Sequence, residues 1–212
     1  MRANEVIQRA RTILQDADSD YWTEDELPKW LTDGRMEAYA LRPDLYQVTE
    51  DIRLQEGALQ TLPDGSRRLF GVIQNVSHAK QRQITVTDGL ILSRHRPSWR
   101  TGRKSAEILH YIYDDIRGHE FEVYPPAREE VDVRISYAKV PASIDTAAST
   151  LELTEEGELA SVLVDYVLYR AFLKEADTVP AYHDRAAAHY TKFQSVLTGA
   201  IAAKAETSPN QG

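Results

Sequence analysis

The chain has 212 residues, 42% hydrophobic and 27% charged, with no cysteine and a formal net charge of −8 at pH 7. This length can bury a substantial core in one domain or two, while the absence of cysteine excludes a disulfide framework, a thiolate metal site and a cysteine nucleophile. No apolar run approaches the roughly 20 residues that span a bilayer, and the opening Met1-Arg2-Ala3-Asn4-Glu5 does not read as a signal peptide, so a soluble protein made in the cytoplasm is expected.

Helix signals come first. Val6, Ile7, Ala10, Ile13, Leu14 and Ala17 repeat at the spacing of one helix face, and Leu27, Trp30, Leu31, Ala38 and Leu41 repeat it in a second segment. Thr23 and Glu26 have capping-box spacing, yet a helix capped at Thr23 would place Pro28 too deep to avoid the carbonyl four residues earlier. Asp25 as N-cap, or a kink at Pro28, resolves this conflict. Arg42-Pro43 ends the second helix, because a residue before proline is pushed out of the α region.

The period then switches to that of strands. Residues 51–55, 69–76, 83–87, 108–113, 120–124 and 130–138 are short runs rich in Val, Ile, Tyr and Phe. Pro63-Asp64-Gly65, Asp88-Gly89, Arg117-Gly118 and Pro125-Pro126 between them supply turn chemistry. In the last run Val131, Val133, Ile135 and Tyr137 alternate with Asp132, Arg134 and Ser136, which predicts one buried face and one wet face.

Helical spacing returns in Leu159, Val162, Leu163, Tyr166, Val167 and Leu173, and again in Ala186, Tyr190, Phe193, Leu197 and Ile201. Thr154 with Glu155 and Glu156 marks the start of the third helix, and Asp177 or Thr178 with Pro180 the start of the fourth. Tyr166, Tyr169, Phe172, Tyr182, Tyr190 and Phe193 read as core packing of these two helices. The fold expected is α+β: a four-helix bundle from the N- and C-terminal helix pairs, with an inserted antiparallel β-module. Its segments are 1–46 (two helices), 47–146 (the β-module), 147–205 (two helices) and 206–212 (a flexible polar tail).

Charge is distributed unevenly. Residues 67–104 hold nine basic side chains against one acid, Asp88, a net of +8. Residues 1–66 carry seven basic and fourteen acidic groups, and residues 105–212 nine and eighteen, so the flanks total −16. The block centres on Ser93-Arg94-His95-Arg96-Pro97-Ser98-Trp99-Arg100-Thr101-Gly102-Arg103-Lys104. Read as a protein contact, Arg94, Arg96, Trp99, Arg100, Arg103 and Lys104 are its interface residues. Read as a nucleic-acid module, the cations bind phosphate and Trp99 stacks on a base, although the acidic remainder of the chain would repel DNA.

Catalytic patterns are weak. Asp114, Asp115, His119 and Glu120 could gather a divalent cation, but they straddle an apparent turn, where acids are common in soluble proteins. His183 and His189 are six apart, not the four of a helical metal pair. There is no phosphate-cradling glycine loop and no G-x-S-x-G elbow. A non-enzymatic protein without cofactor or metal is expected.

Tyr21-Trp22-Thr23, Leu27-Pro28-Lys29-Trp30-Leu31, His110-Tyr111-Ile112-Tyr113-Asp114, Phe121-Glu122-Val123-Tyr124-Pro125-Pro126, Val164-Asp165-Tyr166-Val167-Leu168-Tyr169-Arg170-Ala171 and Ala188-His189-Tyr190, in that order, resemble the head-to-tail adaptor of short-tailed bacteriophages, also called the tail tubular protein A or connector type. The resemblance covers nearly the whole chain. It implies a virion ring, twelvefold, that sits below the portal protein, carries the tail nozzle protein and lets genomic DNA pass without specific binding. It carries over no active site. It also implies that the C-terminal segment, Ala205 to Gly212 with Thr207, Ser208, Pro209, Asn210 and Gln211, reaches along the portal and orders there. Ring neighbours meet heterologously, so the 94–104 block of one copy could face acidic surface on the next.

Overall fold

The computed structural model describes residues 2–16, 18–144, 153 and 157–207; for residues 117, 157–159 and 200–207 it describes the backbone alone. Ala17, the Thr154 cap and residues Ser208, Pro209, Asn210 and Gln211 lie outside the described residues, as do the side chains of Leu159, Ile201 and Thr207. The chain divides into two compact units, one formed by residues 1–46 with 141–212 and the other by residues 47–140. It is a mixed α+β protein, with helices in the first unit and two sheets and a short helix in the second.

The helical unit contains α1 (Ala3–Leu14), α2 (Glu26–Leu41), α4 (Gly157–Glu175) and α5 (Ala181–Thr207). Helix α4 packs against each of the other three. Its sequence explains this position: Val162, Leu163, Val164, Tyr166, Val167, Leu168, Ala171 and Phe172 are all buried, so the helix is apolar around most of its circumference and needs neighbours on several sides. Helix α1 contributes Ala3, Val6, Ile7 and Ala10, and α2 contributes Leu27, Trp30 and Leu31, to the same core. Ile13, Leu41 and Leu173, expected on buried faces, are 53%, 39% and 42% exposed.

Asp25 is the N-cap of α2, so Pro28 falls in the first turn, where no backbone donor is required of it. Thr23 and Glu26 still form half of a capping box, with the Thr23 N–H donating to Glu26 Oε2 at 3.0 Å. Arg42 is the C-cap, before Pro43. Helix α5 opens directly after Pro180.

In the second unit the strands are β1 (Gln47–Arg53), β2 (Gly57–Thr61), β3 (Ser66–Asn75), β4 (Thr85–Val86), β5 (His110–Ile112), β6 (Glu120–Ala127) and β7 (Asp132–Lys139), with helix α3 (Gly89–His95) between β4 and β5. One sheet has the order β1-β7-β3 and the other β2-β6-β5-β4. Among the described residues the named strands pair antiparallel, as expected of the module, except edge strand β4, which pairs parallel to β5. A core including Leu69, Val72, Ile108, Phe121, Val123, Val133, Ile135 and Tyr137 draws on both sheets. The alternation in β7 holds: Val131, Val133, Ile135 and Tyr137 are at most 2% exposed. On its other face Asp132 and Arg134 pair with Arg53 and Asp51 across the β1 ladder at 2.9 and 2.7 Å. Ser136 departs from the pattern; it is buried and accepts a bond from Gln47 Nε2 at 2.7 Å.

Two expected turns are not turns. Asp88-Gly89 starts α3, with Asp88 Oδ1 accepting the N–H groups of Leu90 and Ile91 at 2.6 and 3.3 Å. Pro125-Pro126 lies inside β6, with a cis Tyr124–Pro125 bond. The prolines fit there because the β2–β6 register slips between Gly57↔Ala127 and Leu59↔Glu122, so the ladder asks for no N–H at those positions.

Candidate protein interface

The basic segment 94–104 is a motif built on α3. The last turn of α3 carries Arg94 and His95, and after Arg96-Pro97-Ser98 the chain makes one 3-10 turn, Trp99–Thr101. Trp99 anchors it. The indole is 3% exposed, donates from Nε1 to Ser93 Oγ at 3.1 Å, and meets Tyr124 of β6 edge to face at 6.1 Å. A buried ring offers no free face for stacking on a base, which corrects the reading of Trp99 as a nucleic-acid platform.

Arg100 fastens the turn to the sheet. Its guanidinium lies 4.4 Å from the centre of the Trp99 ring and donates from Nη2 to Glu122 Oε2 at 2.9 Å, with Nε donating to Oε1. Glu122 is a buried carboxylate on β6. The bidentate bond to it raises the Arg100 pKa further, so the charge is permanent. Arg96 sits over the Tyr124 ring at 5.9 Å, and Lys104 pairs with Glu56.

Together these residues shape a groove of about 700 Å³. Trp99, Ala106, Tyr124, Pro125 and Pro126 supply its apolar walls, and Arg96, Arg103, Lys104 and Arg128 its cations. Among the described residues no acidic side chain pairs with Arg103 or Arg128. An adjoining depression shares Arg103, Lys104 and Arg128 and includes Glu56, Glu129 and Glu130, so Arg96 marks the end of the groove away from acids. Of the residues expected at the interface, Arg96, Trp99, Arg103 and Lys104 line this groove. Arg100 lines a separate hollow with Asp88 and Glu122, and Arg94 is exposed outside the groove. Tyr124 and Arg128 were missed, because they lie twenty or more residues away in sequence and reach the segment only through β6 and the residue that follows it.

Beside the motif stand Val86, Leu90 and Ile91, exposed by 66%, 74% and 55%, and no residue of α3 is buried. A signal for this was present in the sequence, as Leu90-Ile91-Leu92 after Asp88-Gly89, but seven residues are too few to display a helical period.

The other candidates disperse. Asp114 caps a 3-10 turn by accepting the Ile116 N–H at 3.0 Å, and Asp115 pairs with Arg68 at 2.9 Å. Among the described residues no group of three or more His, Asp or Glu side chains is placed to hold a metal ion, and no helix is long and apolar enough to cross a membrane. His183 is exposed. His189 instead joins Lys192 on the buried carboxylate of Asp165, at 2.9 and 2.8 Å, tying α5 to α4. Burial raises the pKa of Asp165, but the bonds from His189 and Lys192 outweigh it and hold the carboxyl below its ordinary value. Around this pair the rings pack as their spacing suggested, with Tyr166 against Phe193 at 4.9 Å and Phe172 against Tyr182 at 5.0 Å.

A search of curated proteins returned no match to the chain. The model of the SU10 adaptor protein family matches it over residues 1–212. Both the helical unit and the β-unit with its basic groove fall inside that match, and the chain therefore belongs to the SU10 adaptor protein family, as a structural adaptor of the phage virion.

Proposed function

We propose that this protein is the head-to-tail adaptor ring of its virion: a non-enzymatic homo-oligomer, twelvefold, that joins the portal protein to the tail nozzle protein and encloses part of the channel through which genomic DNA leaves. The observation that carries this reading is the family match along the entire chain. The surface supports a protein contact over a nucleic-acid contact for residues 94–104. Exposed Val86, Leu90 and Ile91 beside Arg94 and Arg96 give the mixed apolar and cationic character of a protein interface, and phosphate binding makes no use of the aliphatic groups.

The two units divide the charge. The helical unit carries 11 basic and 20 acidic side chains, a net of −9, and the β-unit 14 and 13, a net of +1. Acidic surface facing the lumen would let DNA slide past, since phosphate is repelled. The C-terminal segment through Thr207, Ser208, Pro209, Asn210 and Gln211 is polar and is assigned to the portal contact.

Mixing the protein with the portal protein encoded beside it, followed by sedimentation and mass measurement, tests this role. A discrete complex with one adaptor per portal subunit is expected. Absence of association across salt and pH, with DNA binding instead, would overturn it in favour of an electrostatic nucleic-acid module.

A further inference from the structure

The connection between α1 and α2 is an unusually well-clamped surface loop. Helix α1 ends at Gln15 in the left-handed region (φ 57°), and the buried carboxylate of Asp16 then accepts three backbone N–H groups, from Asp20, Tyr21 and Trp22, at 2.9, 3.1 and 3.1 Å. Buried Arg11 closes the frame from beneath. Its guanidinium pairs with Asp16 at 3.4 Å and donates to the carbonyls of Trp22 and Thr23 at 3.1 and 3.4 Å. Trp22 is sunk into the helical core, with Nε1 donating to the Ala171 carbonyl at 3.3 Å. What the frame presents is Tyr21, 70% exposed, flanked by exposed Asp18, Asp20 and Glu24. An ordered loop displaying one aromatic ring among carboxylates has the composition of an interface anchor and its polar rim.

The basic groove has the complementary chemistry. Its walls are Trp99, Tyr124 and the two prolines, its volume of about 700 Å³ has room for a tyrosine with its neighbours, and Arg96, Arg103 and Arg128 stand around it. We infer that in the assembled ring the 18–24 loop of one copy docks into the groove of the next, with Tyr21 inserted against Tyr124 and Pro126 and the three acids facing the three arginines. The pairing rests on the ring reading given above. It is heterologous, since loop and groove are different surfaces, and such a contact closes into a ring when the rotation between copies allows.

Charge reversal tests it on the full chain. One variant reverses the groove (Arg96→Glu, Arg103→Glu, Arg128→Glu) and another the loop (Asp18→Arg, Asp20→Arg, Glu24→Arg). All six side chains are exposed, and circular dichroism checks that each variant folds. Assembly is read as mass by sedimentation, with and without the portal protein. Each variant alone is expected to need at least about tenfold more protein to assemble, because like charges then face each other at every contact. An equimolar mixture, and a chain carrying all six changes, should both assemble as the unaltered protein does, because opposite charges face again. Single-side variants that assemble normally, or a mixture that fails while the unaltered chain forms rings, would overturn the pairing and leave the ring standing. Groove variants that lose only portal binding would assign the groove to the portal and likewise overturn it. An unaltered chain that forms no oligomer, alone or on the portal, would remove the ring reading itself and the pairing with it.

Discussion

A Cβ placed on Gly34 of α2 would lie 2.7 Å from Cδ1 and 2.8 Å from Cγ of Tyr166 on α4. Helices α2 and α4 therefore meet through a bare backbone at this point, and the tyrosine ring fills the space a side chain would take. Nothing in the local sequence of α2 asks for glycine, which costs about 1 kcal/mol relative to alanine inside a helix. The close approach does.

Gly34→Ala is accordingly expected to destabilise the protein despite its better helix propensity. The clash is with the base of a buried ring, not with the end of a flexible chain, and overpacking of this kind costs about 1–3 kcal/mol. Two ring atoms closer than 3.0 Å place the cost at the upper end of that range, so chemical denaturation should show a net loss of about 2 kcal/mol after the propensity gain is subtracted. Equal or greater stability would mean that the helices do not approach this closely.

Replacing Arg100 by Met keeps an apolar stem beside Trp99 but removes the cation over its ring and two charge-assisted bonds to the buried Glu122 carboxylate. Such bonds contribute about 1.5–3 kcal/mol, and the half-exposed position of Arg100 argues for the lower end. Urea unfolding should reveal this loss, with Arg100→Lys recovering only part because lysine cannot bind both oxygens in plane. A neutral Arg100→Met would show that the turn is held by Trp99 alone.

Acid sensitivity should be shared by Asp165. Its carboxyl is held below the ordinary value of 3.8 in the folded protein, burial being outweighed by His189 and Lys192. A depressed folded-state pKa adds stability that is complete above the unfolded value and is lost as pH falls through the folded one. Asp165→Asn should therefore lower the melting temperature at pH 7 and make its decline below pH 3.8 shallower. Asp16 and Glu26 are depressed as well, so the decline persists in part. An unchanged acid profile in the variant would count against the pair.

The alkaline limb has a different origin. Tyr190 donates to Glu37 Oε1 at 2.7 Å, and this bond, with burial, pushes its pKa up to about 12. The neutral hydroxyl is favoured in the folded state, so its contribution is complete below pH 10 and is lost as pH rises from 10 towards 12. Melting curves of Tyr190→Phe over that range should fall less steeply than those of the unaltered chain. Parallel curves would remove Tyr190 from the alkaline transition and leave it to the other raised tyrosines, Tyr137, also pushed up to about 12, with Tyr111, Tyr113 and Tyr166, which burial raises.

The sequence by itself determined the coarse succession of a helical start, a β-region and a helical end, the end of α2 at Arg42-Pro43, the buried face of β7 and the placement of the basic block, because each depends on periodicity, proline geometry or charge counted along the chain. It did not reveal β2, whose Gly-Ala-Leu-Gln-Thr has one β-branched residue and no aromatic, nor α3, which is too short to show a period. Only the tertiary structure decided that Trp99 is an anchor and not a stacking platform, that Tyr124 and Arg128 complete the groove, that His189 belongs to Asp165, and that Tyr21 stands exposed on a loop framed by Arg11 and Asp16. Burial, ion pairing and enclosure are properties of residues brought together from distant positions, and local sequence carries no record of which distant side chain will arrive.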